Sequence, residues 1–412
     1  MLPLAPLVAI AMPAHAQLGG PAGCASCVAS DPVGLADTAE PGSVLVFPKF
    51  AQGTATLDNG GIEPNTQIEI AAVCPAPTPP TFTGATTSPQ TCTPVNYEVE
   101  VHWVCPGTTV GQETSVCLEN DFQVFVSTYG KVVFNPNGLG FPAITANGRI
   151  SGYPALNGTT AVPEAPCARG YALAYVVDSS LRPLDNNVLI GDAVQRNNLT
   201  TGTNSDLQSY SALAIQSVQP NTNPLSSAAG SVSGAALGHL ISTGTDSVTG
   251  GGTLPFNGQA NAYQMVTGQF YGDVRYDQDS PPGPFADTAL ILLTLDVRSN
   301  LPNDPTTVLL DFYNQKEVNI STSTVFDCWV QEQLTAIDVN LTNTSMGTPN
   351  GVVVSGQAFN SAPLNQSSGF RTVLGLIQTS EGPTGGVAAA VRSYTVRPSN
   401  NSIPVPTFFT YD

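Results

Sequence analysis

Basic side chains are scarce in this sequence. It contains 12 Lys and Arg against 30 Asp and Glu, which gives a formal net charge of −18 at pH 7. Proteins bind nucleic-acid phosphates and anionic lipid headgroups mainly through Lys and Arg. The charge balance therefore argues against a nucleic-acid partner and against an anionic membrane surface.

Long apolar segments are missing beyond the N-terminus, where no stretch approaches the 18 uninterrupted apolar residues of a transmembrane helix. The N-terminal segment Leu2–Met12 is apolar, and Ala14–Ala16 after it fits the small-x-small cleavage pattern. This predicts a signal peptide over residues 1–16, although the usual preceding basic residues are lacking. A buried strand or short helix is the alternative.

Charged residues of both signs make up only 10% of the chain, whereas hydrophobic residues make up 41%. The apolar fraction is sufficient for a sizeable core. The exposed surface must then consist largely of Ser, Thr, Asn, Gln and Gly, as is common on extracellular proteins. Together with the export signal, this predicts a secreted or cell-surface location.

Eight cysteines lie beyond the predicted signal peptide. An even number in an exported chain predicts disulfides. The short loops between Cys74 and Cys92 and between Cys105 and Cys117 favour local disulfides, each of which would stabilise the fold by about 3 kcal/mol through loop entropy. Cys167 and Cys328 are then left to pair with each other. The predicted disulfides are Cys74–Cys92, Cys105–Cys117 and Cys167–Cys328. Cys24 and Cys27 have the spacing of a redox dithiol but no βαβ context, so a structural bridge is favoured for them.

Helical periodicity is also scarce, and short alternating or β-branched segments dominate. The 39 Gly and 35 Pro, with Asn and Asp, cluster between these segments. This predicts an all-β fold: an antiparallel β-sandwich or jelly roll, as one large or two interwoven sandwiches, with little helix. The predicted strands are Ser43–Phe50, Thr66–Val73, Val95–Val104, Asp121–Tyr129, Lys131–Asn135, Tyr171–Asp178, Tyr210–Val218, Ala262–Tyr276, Thr288–Arg298, Thr307–Asn314, Ser323–Glu332, Leu334–Leu341, Val352–Phe359, Thr372–Thr379 and Ala388–Val396. Short helices are expected at Leu189–Gln195 and near Ser226–Leu240.

The Gly-rich segment at 223–259 is the predicted linker or long loop. It separates two β-sandwich regions, 43–222 and 260–399, with an extended segment at 17–42 before them and a tail at 400–412 after them. The tail contains the apolar stretch Ile403–Tyr411, which is interrupted by two prolines. We expect it to form an edge strand, where proline is tolerated, or else to add to a neighbouring molecule's sheet and cause self-association.

The segment Val95–Gly107 alternates with unusual regularity. Its apolar side, which includes Trp103, predicts a core face, and Glu98, Glu100 and His102 lie on the other side. Alternate side chains on a strand are about 7 Å apart, which is long for one metal but suits the two carboxylates of a glycosidase. A solvated sheet face that supplies at most one ligand is the favoured interpretation.

Signals for other chemistry are weak. A serine hydrolase needs a base, and only His102 and His239 remain after cleavage; the segment Gly230–Gly234 has Val232 where a nucleophile elbow has serine. No Gly-rich segment has the context of a phosphate-binding loop.

A calcium site is predicted at Asp273, Asp277 and Asp279, because hard cations favour clustered carboxylates on a loop. Turn capping by these side chains is the alternative. The segment Arg182–Asp192 is a weaker second candidate for the same ion.

Two functions follow. The first is an exported structural or adhesion-type protein without catalytic activity, which fits the shortage of His and Lys and the lack of a catalytic constellation. The second is a glycan-binding module or glycoside hydrolase that uses paired carboxylates and calcium. Trp103 and Trp329, the two tryptophans, are both predicted to be buried and are poor sugar platforms. We therefore favour the first function.

Overall fold

The structure is a computed structural model. It describes residues 40–53, 65–73, 95–106, 116–138, 162–178, 181–196, 207–218, 241, 252–259, 261–274, 288–347, 351–360, 369–381, 390–395, 397–398 and 404–411. The predicted signal peptide lies outside the described residues, as do most of the predicted linker, Cys24, Cys27, Cys74 and Cys92.

The predicted all-β class is confirmed. The described residues form strands with two short helices. The strands before residue 260 are β1 Val44–Ala51, β2 Asn65–Ala72, β3 Asn96–Val104, β4 Glu119–Ser127, β5 Lys131–Phe134, β6 Arg169–Val177, β7 Leu189–Arg196, β8 Leu207–Ser211, β9 Leu213–Ile215 and β10 Thr253–Phe256. The later elements are β11 Val266–Thr267, β12 Gln269–Val274, β13 Thr288–Leu293, β14 Val297–Arg298, β15 Thr306–Asn314, β16 Asn319–Phe326, β17 Trp329–Gln333, α1 Leu334–Ile337, α2 Asn343–Met346, β18 Val352–Asn360, β19 Leu374–Glu381, β20 Ala390–Thr395, β21 Arg397–Pro398, β22 Pro404–Val405 and β23 Thr407–Thr410.

Four larger sheets are layered on one another. Sheet 1 has the order β4-β3-β6-β1-β9, sheet 2 β5-β2-β7-β8, sheet 3 β17-β13-β19-β20 and sheet 4 β16-β15-β18-β12-β21. A smaller sheet 5 has the order β10-β23-β14, and β11 pairs with β22. Among the described strands, every pair is antiparallel except β14 with β23.

Sheet 1 is covered on both faces. On one face, the ring centroid of Trp103 lies 5.7 Å from that of Phe134 in sheet 2. On the other face, His102 meets Phe409 of sheet 5. Because both faces are covered, every residue of β1 is buried.

Sheet 3 separates two hydrophobic cores. Ile291 and Leu293 of β13 belong to the core shared with sheets 1 and 2. Leu290 and Leu292 point the other way, into the core between sheets 3 and 4. The first core thus draws on residues from both sides of the predicted linker, while the domain boundary at 223–259 stays a prediction.

Two element predictions are wrong. Leu189–Gln195, predicted as a helix, is strand β7 between β2 and β8. Its buried Leu189 and Ala193 are four residues apart, a spacing that fits both the helical period of 3.6 residues and the strand period of 2 residues. The strand predicted at Leu334–Leu341 begins with helix α1, and its buried residues Leu334 and Leu341 have helical spacing.

The predicted pairing of two disulfides is also wrong. Cys105 is joined to Cys167, with a Cα–Cα distance of 5.8 Å, because they lie at adjoining ends of the neighbouring strands β3 and β6. Cys117 is joined to Cys328 over 211 residues, with a Cα–Cα distance of 6.2 Å. A covalent link between the two halves therefore exists, but through Cys117.

The edge strand predicted in the tail is only partly right: among the described residues β22, which contains Pro404, pairs with β11 alone, but β23 is not an edge strand. β23 is the central strand of sheet 5, with β10 on one side and β14 on the other. Within the described residues, neither short helix combines the length and apolar character needed to cross a membrane.

Candidate functional site

The polar face of β3 is buried, so the predicted solvated face is wrong. The exposed fractions are 7% for Glu98, 1% for Glu100 and 0% for His102. Alternation showed that the two faces of β3 differ, but it could not show that a second layer covers the polar one. That layer is sheet 5 and the residue after it, Tyr411.

Four residues on this face form a hydrogen-bonded chain, here called the His102 cluster: His102, Glu119, Tyr175 and Glu100. His102 Nδ1 lies 2.5 Å from Glu119 Oε1, and its Nε2 lies 2.8 Å from Tyr175 Oη. The Tyr175 hydroxyl donates to Glu100 Oε2 at 3.1 Å. The imidazole is thus held at both nitrogens, between a carboxylate and a phenol.

Strand register explains why these side chains meet. Glu100 lies directly opposite Tyr175 on β6. Glu119 on β4 lies opposite Val104, which places it diagonally from His102 on the same face. Because all three strands are neighbours in sheet 1, the cluster needs no irregular backbone.

Aromatic rings cover the cluster. The His102 ring stacks on Tyr175 with a centroid distance of 5.3 Å. Tyr411 lies 4.8 Å and Phe409 lies 5.9 Å from the same ring, between centroids. These two covering residues are at the C-terminal end of the described chain, so the tail completes the enclosure of the cluster.

The cluster holds His102 in its charged form. Burial by itself would lower the pKa of His102, but Glu119, Glu100 and Asp121 outweigh it and raise the pKa to about 9. At neutral pH both ring nitrogens therefore carry protons and donate, to Glu119 and to Tyr175. Burial, followed by the charge of Glu100, raises the pKa of Tyr175 well above 10, so its hydroxyl stays protonated and donates to Glu100.

A second acidic group lies at the other end of the same face. Burial, and then the charge of Asp178, raises the pKa of Glu98 to about 7. Asp178 is itself buried and pairs with Arg182, whose Nη2 lies 2.6 Å from Asp178 Oδ2. Glu98 therefore resists ionisation, whereas Asp178 has a guanidinium partner.

This arrangement pairs buried charged and polar side chains with one another inside the fold. A catalytic acid or base must reach a substrate, yet His102 has no exposed surface and is closed in by three aromatic rings. Within the described part of the chain, no group of three or more His, Cys, Asp or Glu side chains could hold a metal ion.

The other predicted site residues lie only partly within the described residues. Asp273 is an exposed residue of β12, and Asp277 and Asp279 lie outside the described residues, so the calcium site stays a prediction. In the second candidate segment, Asp185 is buried, whereas Asp192 is exposed on β7 and accepts a hydrogen bond from Ser211. His239 and Gly230–Gly234 also lie outside the described residues. Trp103 and Trp329 are buried, as expected.

Sequence reasoning missed Glu119, Tyr175 and Tyr411 as partners of His102. The predicted strand began at Asp121, which left Glu119 in a loop. The signal for Tyr411 was the apolar character of the tail. It indicated that the tail is buried, but it did not identify the residues against which the tail packs.

The comparisons with known proteins identify no family. No protein-family model matches the sequence, and no curated protein matches it. Among solved structures, the chain is similar to a protein of Parabacteroides distasonis that is named for its inferred secretion. The identity is 6% and the TM-score 0.14, with 79% of this chain and 77% of that chain covered. With a TM-score this low, the likeness supports no conclusion.

Proposed function

We propose that this protein is an exported structural or adhesion-type protein of the cell surface or extracellular space, without catalytic activity. The burial of the His102 cluster carries this proposal. The side chains best suited to acid–base chemistry face sheet 5 and the aromatic tail, and their charged groups pair with one another within sheet 1.

The disulfides support export. Cys105–Cys167 fastens neighbouring strands of sheet 1, and Cys117–Cys328 joins the two halves of the chain. Such bonds persist in oxidising compartments and are rare in reducing ones. Charged residues make up only 10% of the chain, so the surface consists largely of uncharged polar side chains, as is common on extracellular proteins.

Glycan binding without hydrolysis is the second candidate, and one observation favours it. The outer face of sheet 4 presents Tyr313, which is 42% exposed, and half-buried Tyr271. The half-buried side chains of Asp311, Ser355 and Gln357 lie on the same face. Aromatic rings with a few polar groups beside them are the usual contacts of a small-molecule ligand, and a sugar unit could use them here.

Adhesion and hydrolysis can be measured on the same material. The full chain is secreted through an oxidising compartment, and its attachment to polysaccharide-coated and protein-coated beads is compared with its release of reducing sugar from the same polysaccharides. We expect attachment without sugar release. Attachment to protein alone favours the first candidate, and Tyr313→Ala should weaken attachment to polysaccharide only if the second is right.

Two results would contradict the proposal. One is sugar release that Glu100→Gln abolishes, since it would make the buried carboxylates catalytic. The other is the recovery of Cys105, Cys117, Cys167 and Cys328 as thiols from natively secreted protein.

The predicted calcium site has its own test. A ligand that binds only the native state raises stability by mass action. If Asp273, Asp277 and Asp279 bind calcium, the midpoint of thermal unfolding should rise with added Ca²⁺ and fall with EDTA. Identical midpoints for the wild type, or the same response in Asp277→Asn, would eliminate the site.

A further inference from the structure

The outer strand of sheet 4, β16, has an exposed hydrogen-bonding edge. In the described part of the chain, β16 pairs only with β15, in an unbroken register from Thr306 opposite Phe326 to Tyr313 opposite Asn319. Its eight residues, NISTSTVF, contain no charge and no proline. Antiparallel pairing on one side leaves every second residue's N–H and C=O pointing away from the sheet.

The other outer strands of the described sheets carry the features that normally block further pairing. Some are short: β9 has three buried residues, and β11, β14 and β22 have two residues each. Others carry a charge or a proline, namely β4 with Glu119 and Asp121, β5 with Lys131, β17 with Glu332, β21 with Pro398 and β10 with Pro255, and β8 and β20 lie beside each other. β16 has none of these features, so its edge is open to another extended strand.

We infer that two copies of this chain associate through β16, which pairs with itself in antiparallel orientation across a two-fold axis. The outward side chains of β16 are uncharged and exposed: Asn319, Ser321, Ser323 and Val325. In a protein with a net charge of −18, a neutral edge is where two copies can approach with least repulsion. Antiparallel self-pairing also satisfies the two-fold symmetry of most homodimers.

The flanking charges disfavour one of the possible registers. An axis at Thr322 would place Glu317 opposite Asp327 of the second copy, and like charges that face each other across strands are destabilising. An axis at Ser323 avoids this contact. It places Ser323 opposite its own counterpart and Ser321 opposite Val325 of the second copy, which would join two copies of sheet 4 into one continuous sheet.

The C-terminal tail is not the contact strand in this arrangement. β23 already has a partner on each side, so exchange would require it to leave sheet 5 and uncover the His102 cluster. The pairing of β16 requires no rearrangement. This inference does not rest on the proposed function, because strand pairing would join catalytic and non-catalytic copies alike.

Sedimentation velocity of the full chain over a concentration series tests the inference. We expect a monomer–dimer equilibrium that Ser323→Lys weakens by at least about fivefold, because two lysines then face each other across the axis. Ser355→Lys is the matched control: it adds the same charge on the same face of sheet 4, two strands away from the edge, and should leave the equilibrium unchanged.

Amide hydrogen exchange on the wild type gives a second readout that needs no variant. Amides of β16 should exchange more slowly as protein concentration rises, whereas those of β18 should not change. A wild type that stays monomeric at all concentrations, equal effects of the two lysine variants, or β16 exchange independent of concentration would each overturn the inference.

Discussion

The buried imidazolium of His102 makes the stability of the protein dependent on pH in a defined direction. A rise in pKa from 6.5 to about 9 on folding corresponds to about 3 kcal/mol in favour of the charged form. Because the folded pKa is the higher one, this contribution is fully present below pH 6.5 and is lost as the pH rises through about 9. Of the total, about 2 kcal/mol should be lost between pH 7.5 and pH 9.5.

Other titrating groups can be separated from His102. The pKa of Glu98 rises from 4.5 to about 7 on folding, so its burial lowers stability as the pH rises through that interval and adds no further change above it. Buried tyrosines such as Tyr175 have raised pKa values and lower stability only as unfolded tyrosine ionises near pH 10. This last effect is common to all variants.

The assay is denaturant unfolding of the oxidised full chain at pH 7.5 and pH 9.5 for the wild type and His102→Gln. The variant is expected to be less stable than the wild type at pH 7.5, because Glu119 and Glu100 lose their charged partner, and closer to it at pH 9.5, where most of His102 is already neutral. It should nevertheless lose about 2 kcal/mol less than the wild type between the two pH values. Glu98→Gln, on the same face but without an imidazole change, should keep the wild-type loss. Parallel pH profiles for the wild type and His102→Gln would refute the assignment of a charged His102.

Two further predictions concern packing and covalent links. Replacing Cys117 and Cys328 by Ala should lower the free energy of unfolding by about 5 kcal/mol, and replacing Cys105 and Cys167 should lower it by about 4 kcal/mol. The first effect is larger because loop entropy grows with the separation of the cysteines, which is 211 residues for the first pair and 62 for the second. Denaturant unfolding of both double variants measures the two losses, and the reverse order would contradict the prediction. Trp103→Ala should lower the free energy of unfolding by about 3–5 kcal/mol in the same assay, because the ring is fully buried among Phe side chains. Trp103→Phe should lower it clearly less. If Trp103→Ala were as stable as the wild type, the ring would not be part of the core.

Alternation of apolar and polar residues predicted a strand well where the two faces of that strand contact different surroundings. The segment predicted as Val95–Val104 is β3, Asn96–Val104, and the segment predicted as Val352–Phe359 is β18, Val352–Asn360. Alternation with period 2 is a property of the extended backbone itself, so it can be read without knowing the neighbours. Leu189–Gln195 failed because β2 and β8 on its two sides, rather than its own propensity, make it a strand.

The sequence by itself determined that this chain forms alternating strands with a large apolar core and cysteines able to cross-link it. Only the tertiary structure decided which cysteines form disulfides and whether the polar side of β3 is exposed to solvent or buried. Cys105 pairs with Cys167 because β3 and β6 are neighbours in sheet 1, and His102 is buried because Phe409 and Tyr411 of the distant C-terminal segment lie over it. Both outcomes depend on which strands become neighbours, and that is set by the packing of whole sheets rather than by the spacing of residues along the chain.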